Sequence, residues 1–294
     1  MGTLHLRLRE LKPVLILLYL SFMGFLSVFS VQMYLGLSFQ PLLCLCFTGI
    51  IFGVYTSNRF TDGEEDFTND IQKAMFFQHK RIYYALAIFA LAMSMGILLF
   101  QGKLNWLHFL LIGVGFCYSY RLVPWYAPGK GLILLRIKEM TLVKNLAVSF
   151  LWGGSVFMMP ILYSSAYITA PFTVINLGIG MFLSTLNNTL FDDILDEEGD
   201  RVAGIKTLPT TWGSRNSLLL LWALDAAWFA WIGICFARGS LDLPHTAFLA
   251  FMGAYPVCYM GLSRLGKAPK GWIDFLMESD LLCFSLGLML LSLR

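Results

Sequence analysis

The sequence predicts an all-α, polytopic membrane protein with nine transmembrane helices. Of its 294 residues, 57% are hydrophobic and only 13% charged, whereas soluble chains carry about 25% charged residues. Mean hydropathy is +0.69, and apolar stretches of roughly membrane-spanning length recur along the whole chain. These features exclude disorder, a disulfide-stapled secreted fold, a nucleic-acid binder and a soluble α/β enzyme. The net charge of +3 says little, because in a membrane protein the position of each charge matters more than the sum.

The first span, approximately 13–35, follows a basic flank of Arg7, Arg9 and Lys12. It is too long for a signal-peptide core and no small-residue cleavage site follows, so it reads as a retained helix. The remaining spans are approximately 38–57, 82–100, 104–120, 141–162, 171–191, 217–237, 244–262 and 279–293. Five of the six cysteines, Cys44, Cys117, Cys235, Cys258 and Cys283, fall within apolar runs, and Cys46 lies two residues from Cys44. Helical residues two apart do not face each other, and there is no Cys-x-x-Cys pair. Reduced thiols are therefore expected, not a disulfide framework or a zinc site.

Orientation follows from the basic residues. With the N-terminus cytoplasmic, the cytoplasmic segments and helix ends hold Arg7, Arg9, Lys12, Arg59, Lys73, Lys80, Arg81, Arg121, Lys130, Arg136, Lys138, Lys144, Arg201, Lys206, Arg215, Arg264, Lys267 and Lys270. Of the 21 lysines and arginines, the opposite side keeps only Lys103, Arg238 and Arg294. The positive-inside rule is met, and an odd number of spans puts the C-terminus on the opposite side.

More than half of the 18 acidic residues lie in two short windows on that cytoplasmic side. Asp62, Glu64, Glu65, Asp66 and Asp70 follow the second span. Asp192, Asp193, Asp196, Glu197, Glu198 and Asp200 follow the sixth. Four spans separate the windows, so the chain reads as two related halves that each deliver an acidic cluster.

Within the first window, Asn58, Asp62 and Asp66 are spaced by four, and Asp192, Asp196 and Asp200 repeat that spacing in the second. Residues four apart lie one turn above another on a single helix face. Carboxylates about 6 Å apart repel by about 3 kcal/mol at an effective dielectric near 20, so two such columns call for a cation. Hard oxygen ligands suit Mg2+, which takes one or two protein carboxylates and fills its other positions with water and phosphate oxygens. Two columns facing each other would clamp a diphosphate. Lys73 follows the first column, Arg136, Lys138 and Lys144 lead into the fifth span, and Arg201 and Lys206 follow the second column. Basic groups there would stabilise charge growing on a departing diphosphate.

A lone Asp-x3-Asp is usually a cap or a solvated surface; two copies at equivalent places in the two halves weigh against that. An EF-hand is excluded, because its acidic residues recur every two positions. Asp225, inside the seventh span, has no visible partner. His108 reads as a satisfied bundle residue, and His5, His79 and His245 as interfacial. The Asn187-Asn188-Thr189 sequon falls inside a span and is expected to be silent.

These residues resemble the UbiA superfamily of intramembrane prenyltransferases. Asn58, Asp62 and Asp66 match its Asn-x3-Asp-x3-Asp motif, and Asp192, Asp196 and Asp200 match its Asp-x3-Asp-x3-Asp motif. The run Asp196 to Arg201 followed by Gly204-Ile205-Lys206-Thr207-Leu208-Pro209 is similar to the family's pattern there. So are Tyr118-Ser119, Leu135-Arg136-Ile137-Lys138 and Lys144-Asn145-Leu146. The likeness covers nearly the whole chain. It implies a single domain over 1–294 with halves of roughly 1–135 and 136–294, its helices bundled around a central cavity with two acidic cytoplasmic motifs.

The resemblance also implies a chemistry. A prenyl diphosphate enters from the lipid, and Mg2+ held by Asn58, Asp62, Asp66, Asp192, Asp196 and Asp200 binds its diphosphate. Lys73, Arg136, Lys138, Lys144, Arg201 and Lys206 stabilise the leaving group. The allylic carbocation lies against Phe60, Tyr118 or Tyr120 and is captured by a small aromatic or lipidic acceptor. No nucleic acid is involved. One departure is that Asn69 to Ala74 stands where many members have an Arg-Pro-Leu-like turn, with Lys73 in the place of the arginine. Glu64-Glu65-Asp66 followed by Asn69 also resembles the superfamily's terpene-cyclase branch, so cyclisation of the prenyl diphosphate stands as the alternative. A cation transporter is disfavoured, because it would need carboxylates near the bilayer midplane.

Overall fold

The computed structural model describes residues 2–61, 80–127, 129, 131–164, 170–266 and 269–293. Helices dominate: α1 (Gly2–Tyr34), α2 (Pro41–Thr61), α3 (Lys80–Phe100) and α4 (Trp106–Ser119) precede a two-stranded antiparallel hairpin, β1 (Val123–Ala127) and β2 (Gly131–Leu135). A 3-10 turn, Ile137–Glu139, leads into α5 (Val143–Ser164), α6 (Pro171–Leu195), the short α7 (Glu197–Ala203) and α8 (Leu208–Trp212), then α9 (Ser214–Ala237), α10 (Leu243–Arg264), α11 (Lys270–Glu278) and α12 (Asp280–Ser292).

Among the described residues, eight helices are long and apolar enough to cross a membrane, and the chain is an integral, multi-pass membrane protein. One of the nine expected spans is present as a shorter apolar helix. The span anticipated at 104–120 is α4, only 14 residues long. Asn105 starts it: its side chain accepts the Leu107 amide at 3.1 Å, while its own amide donates to His108 Nδ1 at 3.3 Å. His108 is thus a capping residue, with its buried Nε2 unpartnered. The last span is also longer than expected, running Gly271–Ser292 as α11 and α12 joined at Ser279. Lys270, Asp274 and Glu278 dilute the hydropathy of α11, yet Ile273 and Met277, four apart, are buried on one face of it.

The chain divides into two compact units, residues 1–26 with 40–140 and residues 27–39 with 141–294. In the first, α2 packs against α3 and α4. Close approach rests on Gly49 and Gly53, one turn apart: a Cβ at Gly49 would meet Ser94 Oγ at 2.3 Å, and one at Gly53 would meet the Leu91 side chain at 2.4 Å. In the second, α6 is the hub, touching α5, α9 and α10. Gly153 of α5 lies against the Phe182 backbone, where a Cβ would come within 2.6 Å. The core near the α6 C-terminus gathers Leu186, Leu190, Phe191, Leu221, Tyr259, Met260, Ile273 and Met277.

Polar side chains inside this unit bond between helices, as groups removed from water must. Asn187 Nδ2 donates to Asp225 Oδ1 at 2.6 Å, Ser184 Oγ to Asp280 Oδ2 at 2.6 Å, and Trp231 Nε1 to Asn176 Oδ1 at 2.7 Å. Asp225, which has no visible partner in the sequence, therefore has one in the fold, and the sequon asparagine supplies it. His245 lies at the start of α10, 2.8 Å from the Tyr34 hydroxyl through Nε2. All six cysteines are free.

Candidate metal and diphosphate site

The second acidic column is built by the end of one helix running into the next. Asp192 lies in the last turn of α6, Asp196 is its C-cap, and Asp200 sits in α7. The Asp196 amide donates to the Asp192 carbonyl at 3.0 Å and the Asp200 amide to the Asp196 carbonyl at 2.9 Å. The helix itself breaks at Asp196, between α6 and α7, but these two i, i+4 bonds keep each carboxylate about one turn from the next. Gly204, at φ 71°, then ends α7, a left-handed conformation that glycine adopts without penalty. Asp192 and Asp196 are exposed and Asp200 half-buried. Burial pushes the Asp200 carboxyl above the ordinary carboxylate range, and the charges of Asp193 and Asp196 add to this, against Lys144 and a hydrogen bond from Thr207 that pull it down.

Asp193 points the other way. It is buried, and it accepts Lys144 Nζ at 2.6 Å on Oδ1 and Asn145 Nδ2 at 3.1 Å on Oδ2. Both donors lie in the first turn of α5, so this trio ties α5 to α6 beside the carboxylate column. Asn145 Oδ1 is buried without a partner. Sequence reasoning placed Lys144 on the diphosphate but passed over Asp193 and Asn145. A signal was available: Leu186, Leu190 and Asp193, spaced four and three, share one buried face of α6.

The other basic candidates are distributed as follows. Arg201 is exposed and donates to Glu197 at 2.6 Å, and Glu197 also accepts from Ser214. Lys206 is exposed, and its carbonyl accepts Thr141 Oγ1 at 3.1 Å. Lys138 is half-buried in the 3-10 turn. Arg136 pairs with Glu139 at 2.9 Å and donates from Nη1 to the Thr61 carbonyl at 3.5 Å, at the end of α2. Glu139 also receives Arg121 at 3.0 Å. Burial pushes the Glu139 carboxyl up, but the Arg136 amide and the Arg121 and Arg136 guanidiniums outweigh it and hold the group below the ordinary range.

In the first motif, Asn58 is half-buried in the last turn of α2, and its Oδ1 accepts Ser119 Oγ at 3.3 Å. Asp62, Asp66 and Lys73 lie outside the described residues. Two of the three aromatic candidates are linked through a third ring: Phe60 packs edge-on to Tyr84 at 5.5 Å, and the Tyr84 and Tyr120 hydroxyls are 3.2 Å apart. Ser57 Oγ donates to Tyr120 at 3.1 Å. Tyr118 is half-buried in the last turn of α4.

A sequence model of the UbiA prenyltransferase family matches residues 27–279. The chain belongs to the UbiA prenyltransferase family. Relatives within and near this family fill in the picture. The digeranylgeranylglyceryl phosphate synthase of Methanothermobacter thermautotrophicus is 34% identical over 137 residues, 47% of this chain and 41% of that protein. The enzyme of the same name from Methanothrix thermoacetophila is 29% identical over 161 residues, 52% of this chain and 54% of that protein. The matched region thus spans about half the length of these curated relatives. A solved UbiA homolog from Archaeoglobus fulgidus bound to DMAPP and Mg2+ is 19% identical, with a TM-score of 0.63 over 96% of this chain and 98% of that one. At that identity the likeness is one of fold.

Among the described residues, no group of three or more histidine, cysteine or acidic side chains is placed to hold a metal ion, and Asp62 and Asp66 lie outside them. Carboxylate and amide oxygens are hard ligands and suit Mg2+. Magnesium is held by one or two carboxylates and completed by substrate phosphate and water, whereas zinc wants four closed N or S ligands and calcium six to eight oxygens.

Proposed function

We propose that the chain catalyses Mg2+-dependent transfer of an isoprenyl group from a prenyl diphosphate to a small acceptor within the membrane. One observation carries this reading: three carboxylates four residues apart, Asp192, Asp196 and Asp200, linked by i, i+4 backbone bonds across a helix junction and close to a lysine held by the buried Asp193. The family's first motif, met by Asn58, Asp62 and Asp66, is assigned to metal binding on the resemblance. Magnesium, when bound, neutralises the diphosphate and makes it a better leaving group. The protein's part is to hold the diphosphate, to supply positive charge from Lys73, Arg136, Lys138, Lys144, Arg201 and Lys206, and to keep water from the reacting carbon. Of these, Arg136, Lys144 and Arg201 carry carboxylate partners, so each reaches the diphosphate only by sharing or exchanging its partner.

In the step itself the allylic C–O bond breaks, both electrons leaving with the diphosphate oxygen. Phe60, Tyr118 and Tyr120 offer π faces to the cation. The acceptor's nucleophilic atom donates its pair to the carbon and loses a proton. The relatives' name makes the hydroxyl of a prenylated glyceryl phosphate the first acceptor to test. We read the chain as one catalytic domain of two related halves, roughly 1–135 and 136–294, with the N-terminus and both acidic motifs cytoplasmic and the C-terminus opposite.

The test is mass spectrometry of products from the purified protein in lipid nanodiscs, given geranylgeranyl diphosphate, Mg2+ and either geranylgeranylglyceryl phosphate or an aromatic acceptor. A prenylated acceptor with matching diphosphate release, absent after chelation, is expected. Cyclic hydrocarbon or alcohol formed without acceptor would favour the cyclase, and no diphosphate release under any condition would overturn both.

A further inference from the structure

We infer that the β1–β2 hairpin is a membrane-interface anchor whose outward face packs against lipid at headgroup level. In its register Pro124 pairs with Leu134 and Tyr126 with Leu132, so these four side chains share one face. That face is open: Tyr126 and Leu132 are each 73% exposed and Leu134 53%. On the opposite face Val123, Ile133 and Leu135 are half-buried, while Trp125, paired with Ile133, is 48% exposed. A hairpin packed on one side and facing water on the other alternates apolar with polar residues. This one carries no charged or amide side chain on its outward face.

The occupant follows from what the hairpin is attached to. It starts four residues beyond α4, whose 14 residues rise only about 21 Å at 1.5 Å each, against a hydrocarbon layer of about 30 Å. At least one end of α4 therefore stops short of the bilayer surface. The backbone sets how deep it can go. A two-stranded hairpin has two open edges whose N–H and C=O groups need water, so it cannot lie in hydrocarbon. Trp125 and Tyr126 are side chains favoured at the headgroup level, and the Arg121 guanidinium, 68% exposed, stands at the base. Glu139 ties Arg121 to Arg136, which reaches the end of α2, so the anchor is joined to a membrane-spanning helix at its base. The inference is independent of whether the chain transfers prenyl groups.

Spin labels test it on the full chain in lipid nanodiscs, in a background with the six native cysteines replaced. Labels at Tyr126→Cys and Leu132→Cys are expected to show an oxygen-to-nickel collision ratio several-fold above that of a label at the exposed Glu198→Cys, and a label at Ile133→Cys restricted motion. Nickel access at Leu132 equal to that at Glu198 would overturn the inference, as would spin–spin broadening, which would mean a second copy covers the face. Should the cysteine-free chain fail to fold, benzoylphenylalanine at Leu132 in the native background serves instead. Photo-adducts with phospholipid support the anchor, and protein–protein adducts or none refute it.

Discussion

Lys144 Nζ lies 2.6 Å from Asp193 Oδ1, with the two side chains 15% and 9% exposed. The lysine that the sequence analysis assigns to a diphosphate is held by an internal carboxylate, which fixes its position near the acidic residues that follow α6. A partly buried ion pair contributes little net stability, but removing one partner strands the other.

Asp193→Ala is therefore expected to destabilise the protein by about 3 kcal/mol and to lower turnover about 10- to 100-fold, as loss of a residue that orients metal-site groups does. The double variant Lys144→Met/Asp193→Leu should regain most of the stability and none of the activity. Thermal unfolding in detergent, read beside diphosphate release, checks this; a stable and fully active Asp193→Ala would refute the positioning role.

On the proposed metal assignment, Asp196→Asn and Asp62→Asn each remove one ligand and are expected to cut diphosphate release by about 100-fold or more, on the scale of losing a group that stabilises developing charge. Chelation should abolish release and added Mg2+ restore it. Near-normal release from either variant would defeat the metal assignment.

The Glu139 cluster gives a pH dependence. Its folded-state carboxyl sits below the ordinary range, so its contribution to stability is present above the unfolded value of about 4.3 and is lost as pH falls through the folded value. Unfolding midpoints of wild type and Glu139→Gln should differ near neutrality and converge in strong acid. A constant gap across that range would mean the cluster's charge is irrelevant.

Asp225→Ala removes the acceptor of Asn187 within the membrane, where such bonds average about 0.6 kcal/mol and reach about 1.7. A loss on that scale is expected, with Asp225→Asn recovering most of it, since an amide oxygen can still accept. Equal losses in the two variants would show that the bond to Asn187 is not what matters.

Gly153→Ala puts a methyl group against the Phe182 backbone, which cannot rotate away as a side chain would. The α5–α6 contact must widen, at about 1–3 kcal/mol, and because Lys144 and Asp193 are carried by the same two helices, activity should fall with it. An unchanged midpoint would show that the two helices can separate without cost.

The helices were legible because their signal is local. Spans expected at 141–162 and 171–191 appear as Val143–Ser164 and Pro171–Leu195, since twenty apolar residues in a row have no other place to go than a bilayer. The hairpin was not legible. Val123–Ala127 and Gly131–Leu135 are too short to stand out beside twenty-residue runs, and their pairing depends on a turn at Gly129 and Gly131, both at positive φ. The junction at 279 was half legible, because charges in α11 masked an apolar face that becomes visible only when Ile273 and Met277 are seen packed.

By itself, the sequence determined the lipid-embedded helices, the four-residue interval of the carboxylates and the family, because each is a property of neighbouring residues or of composition. Only the tertiary structure decided that Asp193 turns inward to Lys144 while Asp192 stays exposed, that Asn187 answers Asp225, and that Glu139 gathers two arginines. Apart from Arg136, three residues before Glu139, each of these partners lies on a separate element. Which buried polar group meets which is settled only when every donor removed from water must find an acceptor on whatever element packs beside it.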